Sequence, residues 1–197
     1  MLGVILCGGQ SSRMGSDKGL LIINEKTWTQ IAIEKLASLD IPVKISVNSN
    51  QYSAYQSKFS SIELIVDDAS LPVKGPLTAV LSCHLKYPSE DLFILACDMP
   101  LMETDLLSEL YSQYQHQSTA GAIVFTNNGE WEPLCGIYTA TSLSYTLSLL
   151  QSGQIIKHSM KNMLDHLKVK SIVLRTDQKN AVRNFNSHAE LTGRYPG

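Results

Sequence analysis

Six apolar residues in a row, Leu92-Phe93-Ile94-Leu95-Ala96-Cys97, offer no polar side to water, so this stretch reads as a strand covered on both faces. Such a strand needs helices above and below a parallel sheet. The run stops at Asp98-Met99-Pro100, which makes it the central strand with a carboxylate at its foot. A charge in that position is costly unless it is paired, caps the next turn, or binds a cation. A single aspartate suffices for magnesium when substrate phosphates supply further ligands.

A second apolar run, Gly3-Val4-Ile5-Leu6-Cys7, empties into Gly8-Gly9-Gln10-Ser11-Ser12-Arg13-Met14-Gly15-Ser16-Asp17-Lys18. Gly8 and Gly9 let the backbone turn sharply and approach an anion, and Ser11, Ser12, Arg13 and Lys18 add donors. The spacing fits neither a Walker A loop nor a dinucleotide fingerprint. Two adjacent glycines can make a plain turn, but a turn needs no pair of cations, so the stretch reads as a polyphosphate cradle.

Strand and helix signals alternate along the rest of the first half. Leu20 to Ile23 reads as a short strand, and a helix runs from Thr27 on Ile31, Ile33, Leu36 and Leu39 until Asp40-Ile41-Pro42. Val43 to Val47 is a strand ending at Asn48, Gln51 to Ser60 a polar helix, and Ile62 to Val66 a strand ending at Asp67-Asp68. Gly75-Pro76-Leu77 opens a helix carrying His84, a core or edge histidine. Thr104 caps a helix running to about Tyr114.

In the second half, Ala120 to Phe125 and Trp131 to Tyr138 flank the turn Asn127-Asn128-Gly129, predicting an antiparallel element at the sheet edge. Helices are expected over Thr141 to Leu150 and Ile155 to Leu167, a strand over Val169 to Leu174, and a terminal helix capped by Ser187. The whole predicts a single three-layer α/β/α domain over residues 1–197, with a mixed, mostly parallel sheet and a Rossmann-like N-terminal half. Ligands in such sheets bind beyond the carboxyl ends of the strands. The Gly8 to Lys18 loop, Asn48, Asp68 and Asp98 all fall there.

The chain has 197 residues, 44% of them hydrophobic and 17% charged, enough for a sizeable core. Its net charge of −2 gives no general attraction to nucleic acid or to an anionic membrane, so an anionic substrate must be drawn by local cations. Cys7, Cys83, Cys97 and Cys135 lie far apart with no zinc-ligand spacing, and read as buried thiols in a reducing cytoplasm. A strand from residue 2 leaves no room for a secretory leader, and no apolar stretch reaches the ~20 residues of a membrane span.

The run from Leu6 to Lys18, with its Arg-Met-Gly triplet and Asp-Lys pair, resembles the opening signature of the molybdenum cofactor guanylyltransferases. Ala96-Cys97-Asp98-Met99-Pro100, Glu132 to Tyr138, and Asn184-Phe185-Asn186-Ser187 are similar to later segments of that family. The resemblance implies a nucleotide-diphospho-sugar transferase-like fold, with a nucleotide-binding half over about 1–100 and an acceptor-binding half over about 101–197. It further implies transfer of GMP from GTP to the terminal phosphate of molybdopterin, with release of pyrophosphate.

By the same resemblance, Leu6, Cys7 and Gly8 contact the nucleotide through the main chain, Gly9 belongs to the nucleotide-binding set, Lys18 binds its phosphates, and Arg13 lies near the leaving pyrophosphate. Asp98 holds Mg2+, and Asn48 and Asp68 bind the nucleotide, Asp68 as the guanine reader with Asp67 as its neighbour or a cap. Asn48 is equally explained as a turn residue. Where relatives carry arginines for the pterin phosphate, this chain has Lys157 and Lys161, four apart, which suit either an acceptor-facing or a solvated helix face. Asn184 and Asn186 complete the expected acceptor set. Proteins that handle the cofactor before or after this step are expected to dock transiently. CTP with molybdopterin, an NTP with a sugar phosphate, or nucleotide binding without turnover stay open as alternatives.

Overall fold

The computed structural model describes residues 1–8, 17–116 and 119–185. In chain order the elements are β1 (Leu2–Leu6), a 3-10 turn (Lys18–Leu20), β2 (Ile22–Ile23), β3 (Lys26–Thr27), α1 (Trp28–Ala37), β4 (Val43–Val47), α2 (Tyr52–Lys58) and β5 (Leu64–Val66). There follow α3 (Pro76–Lys86), β6 (Leu92–Ala96), α4 (Thr104–Gln115), β7 (Ala122–Asn127), β8 (Glu130–Tyr138), α5 (Ala140–Gln151), α6 (Met160–Asp165) and β9 (Val169–Val173).

Seven strands make one sheet in the order β5-β4-β1-β6-β8-β7-β9, with β6 in the middle as its composition requires. β5, β4, β1 and β6 pair in parallel, as do β7 and β9, and only β8 runs against its neighbours. The side-chain period of two sorts each strand between two cores. Ile5, Phe93, Leu95, Ile123 and Phe125 face a cluster that includes Ala32 and Leu36 of α1, Tyr55 of α2 and Leu106 to Leu110 of α4. Leu2, Val4, Leu92, Ile94 and Val124 face a cluster that includes α3, α5 and α6. The three-layer α/β/α expectation holds.

Several expectations change. The antiparallel pair does not edge the sheet: β8 is inserted beside β6 and β9 forms the edge, because β9 pairs in parallel outside β7. The turn itself is as read, with Asn128 at φ 52° and Gly129 at φ 82°, the left-handed pair that a two-residue hairpin demands. The stretch Leu20 to Ile23 divides into the 3-10 turn and the first strand of the small β2-β3 hairpin. α4 is preceded by Glu103, whose side chain makes no cap bond, so Thr104 is inside the helix. α6 begins only at Met160, capped by Ser159, and Lys157 therefore shares no helix face with Lys161. The terminal helix expected after Ser187 lies outside the described residues.

One polar knot ties the β5 side of the sheet to α3. Glu63 accepts from Lys44 Nζ at 2.7 Å and Tyr87 Oη at 2.7 Å, and pairs with Lys86 Nζ at 2.5 Å. Lys44 above all, with Lys86 and Tyr87, holds the Glu63 carboxyl down at about 2. A lowered carboxyl pKa stabilises the fold above its unfolded value, and that contribution fades as pH falls toward the folded one. Glu63→Gln is therefore expected to lower the Tm by a nearly constant few degrees above about pH 4.5, with the gap from wild type closing between there and about pH 2. Thermal melts across that range check it, and a gap that widens in acid would contradict it.

Candidate functional site at the carboxyl edge of the sheet

β1, β4, β5 and β6 all end on the same edge, and each delivers polar residues there. Lys18 opens the 3-10 turn after the glycine-rich loop, Asp98 follows β6, and Lys18 Nζ lies 3.7 Å from Asp98 Oδ2. Both side chains are largely covered, at 29% and 21% exposure. Burial pushes the Asp98 carboxyl above the usual range, and Lys18 opposes that shift. Gly9 and Arg13 lie outside the described residues, as does Asn186.

The neighbours of Lys18 explain the Asp-Lys-Gly triplet. Asp17 accepts from Gly19 N–H at 3.0 Å and Tyr55 Oη at 2.9 Å through Oδ1, and from Gln51 Nε2 at 2.6 Å through Oδ2. It caps the turn that carries Lys18 and anchors it to α2. Gly19 is buried where a Cβ would collide with Tyr55 Oη, come within 2.7 Å of Thr29 Oγ1 and within 3.2 Å of Cys97 Sγ. Its carbonyl accepts from Thr29 Oγ1 at 2.8 Å. The turn is thus pressed against the sheet, which brings Lys18 to Asp98.

The strand ends use much of their own backbone. Leu6 C=O accepts from Cys97 N–H at 3.1 Å, Cys7 N–H donates to Ser46 C=O at 2.9 Å, and Cys7 C=O accepts from Gln51 Nε2 at 2.9 Å. These bonds leave Gly8 as the first residue whose backbone they do not use. Among the described residues a Cβ there would meet only Asp67 Oδ2, at an ordinary 3.6 Å.

The paired aspartates separate in role. Asp68 accepts from Ser70 N–H at 2.8 Å, and its own N–H donates to Ser82 Oγ at 2.7 Å; the Ser70 hydroxyl first, and then that N–H, hold its carboxyl below the usual range. Asp67 is half-buried, and its Oδ1 has no hydrogen-bond partner among the described residues. Burial raises its carboxyl to about 6 against the opposing pull of Ser46. Sequence reading treated Asp67 as a neighbour or cap, yet it is the acid that faces Gly8. Asn48 Oδ1 accepts from Asn50 N–H at 3.0 Å and Gln51 N–H at 3.1 Å, so its turn role is real.

The loop after Asp98 is held from two sides. Lys35 of α1 donates to Pro100 C=O at 2.7 Å, its ammonium lowered to about 8 by burial against the pull of Glu103. Phe185 N–H donates to Asp98 C=O at 2.9 Å, and its buried ring packs with Trp28, Leu21, Ile23 and Leu101. That contact brings the neighbouring Asn184, an exposed residue, to the same edge. Lys161 pairs with Glu130 at 2.8 Å on the surface at the start of β8, and Lys157 is exposed ahead of α6. His84 meets Ser144 Oγ at 3.0 Å through Nε2 between α3 and α5, away from this edge, and its Nδ1 is buried with no partner among the described residues.

Gln51, Tyr55 and Thr29 were not legible as site residues, because a polar helix start and a capped helix look alike with or without such bonds. Gly19→Ala tests the packing: the added methyl must displace the turn, with an expected loss of about 1–3 kcal/mol. A urea melt reads it, and a wild-type midpoint would show that Gly19 is not pinned.

The family model described as a MobA-like NTP transferase domain matches residues 3–170. A Flavobacterium johnsoniae protein named "Probable molybdenum cofactor guanylyltransferase" is 30% identical over 187 residues, which is 95% of this chain and 92% of that one. The molybdenum cofactor guanylyltransferase of Campylobacter jejuni strain RM1221 is 29% identical over 188 residues, 95% and 91% of the two chains. In fold, the crystal structure of molybdopterin-guanine dinucleotide biosynthesis protein A from Archaeoglobus fulgidus superposes with a TM-score of 0.77 at 18% identity, covering 98% of this chain and 96% of that one. With a family model spanning most of its length and relatives matched nearly end to end, the chain belongs to the MobA-like NTP transferase family.

Proposed function

We propose that this chain transfers GMP from GTP to the terminal phosphate of molybdopterin, forming the guanine dinucleotide of the cofactor. The observation that carries it is the convergence of Lys18 and Asp98 from two separate strand ends to 3.7 Å on the sheet edge. The names of the relatives, matched over almost the whole chain, support the choice of substrates. An oxygen of the acceptor phosphate attacks the α-phosphorus of GTP; the new P–O bond forms as the bond to the bridging oxygen breaks, and pyrophosphate leaves with that electron pair.

Positioning and charge neutralisation carry such a transfer, so it needs no nucleophilic side chain. Lys18 binds the phosphates, and the family resemblance gives Arg13 the role of meeting the leaving pyrophosphate. Gly8 gives the polyphosphate backbone room, and Asp68 accepts from the N1–H and N2–H₂ donors of guanine, with Asn48 Nδ2 nearby. Asp98, a carboxylate set beside Lys18 at the carboxyl edge of the sheet, suits Mg2+, which takes one or two protein carboxylates and fills its sphere with phosphate oxygens and water. When bound, Mg2+ neutralises phosphate charge and polarises the centre under attack. Residues of about 101–197, Asn184 and Lys161 foremost and then Lys157 and Asn186, form the acceptor side. The four free, buried cysteines suit a reducing compartment, and we place the reaction in the cytoplasm.

Pyrophosphate release from GTP and molybdopterin tests this reading. Lys18→Ala and Asp98→Asn are each expected to cut turnover by about 10²–10³. Their melting temperatures should stay at or above that of wild type for Asp98→Asn, where burial disfavours the charge, and near it for Lys18→Ala. EDTA should abolish release and Mg2+ should restore it. Wild-type rates in either variant would remove that residue from the reaction, and release with CTP in preference to GTP would overturn the role of Asp68.

A further inference from the structure

The glycine-rich loop has two described ends, and one side chain joins them. Gln51 donates through Nε2 to Cys7 C=O at 2.9 Å and to Asp17 Oδ2 at 2.6 Å, and accepts through Oε1 from Asn48 N–H at 3.0 Å. Cys7 lies one residue before Gly8, Asp17 one residue before Lys18, and Asn48 directly after β4. A carboxamide is the side chain that fits, because one end gives two donors and the other an acceptor; a carboxylate has no donor and an ammonium no acceptor.

These bonds are not helix capping. Gln51 stands at the N-cap of α2 and makes no side-chain cap bond to it. Its side-chain bonds to other described residues run to the loop ends and the end of β4. Tyr55, one turn further along α2, adds its hydroxyl to the same aspartate at 2.9 Å. The span between Cys7 and Asp17 sets where Lys18 emerges.

We propose that Gln51 is a positioning residue for the phosphate loop, fixing the distance between its two ends and with it the reach of Lys18 to the nucleotide phosphates. The proposal rests on the nucleotidyl-transfer reading and deepens it. Gln51 acts through Asp17 and the Cys7 carbonyl and does not itself touch the substrate.

The test compares wild type with Gln51→Glu, Gln51→Leu and Tyr55→Phe, reading calorimetric binding of GTP with Mg2+, and kcat and KM for GTP, from pH 5.5 to 8.5. Gln51→Glu keeps the length and the acceptor for Asn48 N–H, but sets a second carboxylate against Asp17. At pH 8 it is expected to weaken GTP binding about tenfold or more, and to regain most of that toward pH 5.5, since neighbouring carboxylates share a proton that rebuilds one donation. Gln51→Leu stays weakened at every pH, and Tyr55→Phe loses about threefold, a single hydrogen bond's worth. A merely structural glutamine would lower the Tm without that acid recovery.

Should Gln51→Leu fail to fold, the other two variants still decide. GTP binding and turnover equal to wild type in Gln51→Glu across the pH range would overturn the positioning role and leave the transfer reading standing. A wild-type chain that neither binds GTP nor releases pyrophosphate would overturn both.

Discussion

The candidate site depends on a lysine and an aspartate meeting at the end of a strand that is otherwise wholly apolar. At 3.7 Å the Lys18–Asp98 pair is longer than the roughly 2.7–2.9 Å of a strong charge-assisted hydrogen bond. Lys18 does not fully offset the burial of Asp98, whose carboxyl stays above its ordinary range. A pair so placed adds little to stability, and replacing a buried pair by apolar residues is often neutral or favourable. On the proposed reading its value is chemical: a cation to bind phosphate oxygens, set beside a carboxylate that suits a metal ion.

The remaining parts of the edge serve that placement. The turn carrying Lys18 is fixed below by Gly19, which admits no side chain, and laterally by Asp17, which gathers donors from Gly19, Gln51 and Tyr55. The loop carrying Asp98 is fixed by Lys35 from α1 and by Phe185 from the far end of the chain. Lys18 and Phe185, from opposite ends of the chain, thus both meet Asp98, one at its carboxylate and the other at its main-chain carbonyl. Phe185 gains its place by packing with Trp28, so the segment holding Asn184 is seated by hydrophobic burial and leaves its polar residues exposed.

Much of this was legible in the residues because it follows from local physics. A run such as Leu92 to Cys97 cannot be anything but a doubly covered strand, and strand ends in a parallel sheet must share an edge, which gathered Lys18, Asn48, Asp68 and Asp98. Strand order in the second half was not legible, because a tight hairpin fixes the pairing of β7 with β8 but not which of the two lies beside β6. The length of α6 was misjudged because Ile155 and Leu164 are both buried, and burial alone continues a helical pattern through a stretch that the chain crosses as a loop before Ser159. The contrast between Asp67 and Asp68 was also hidden: adjacent identical residues differ only in which way the chain turns them, one into a local turn and one toward Gly8.

The decisive measurement is a crystal structure of the chain with a non-hydrolysable GTP analogue and Mg2+. The triphosphate is expected over Gly8, with Lys18 Nζ on its phosphates, the Asp98 carboxylate on the metal, and the guanine edge against Asp68. A nucleotide bound elsewhere, or one seated at this edge with Lys18 and Asp98 still paired only to each other, would contradict it.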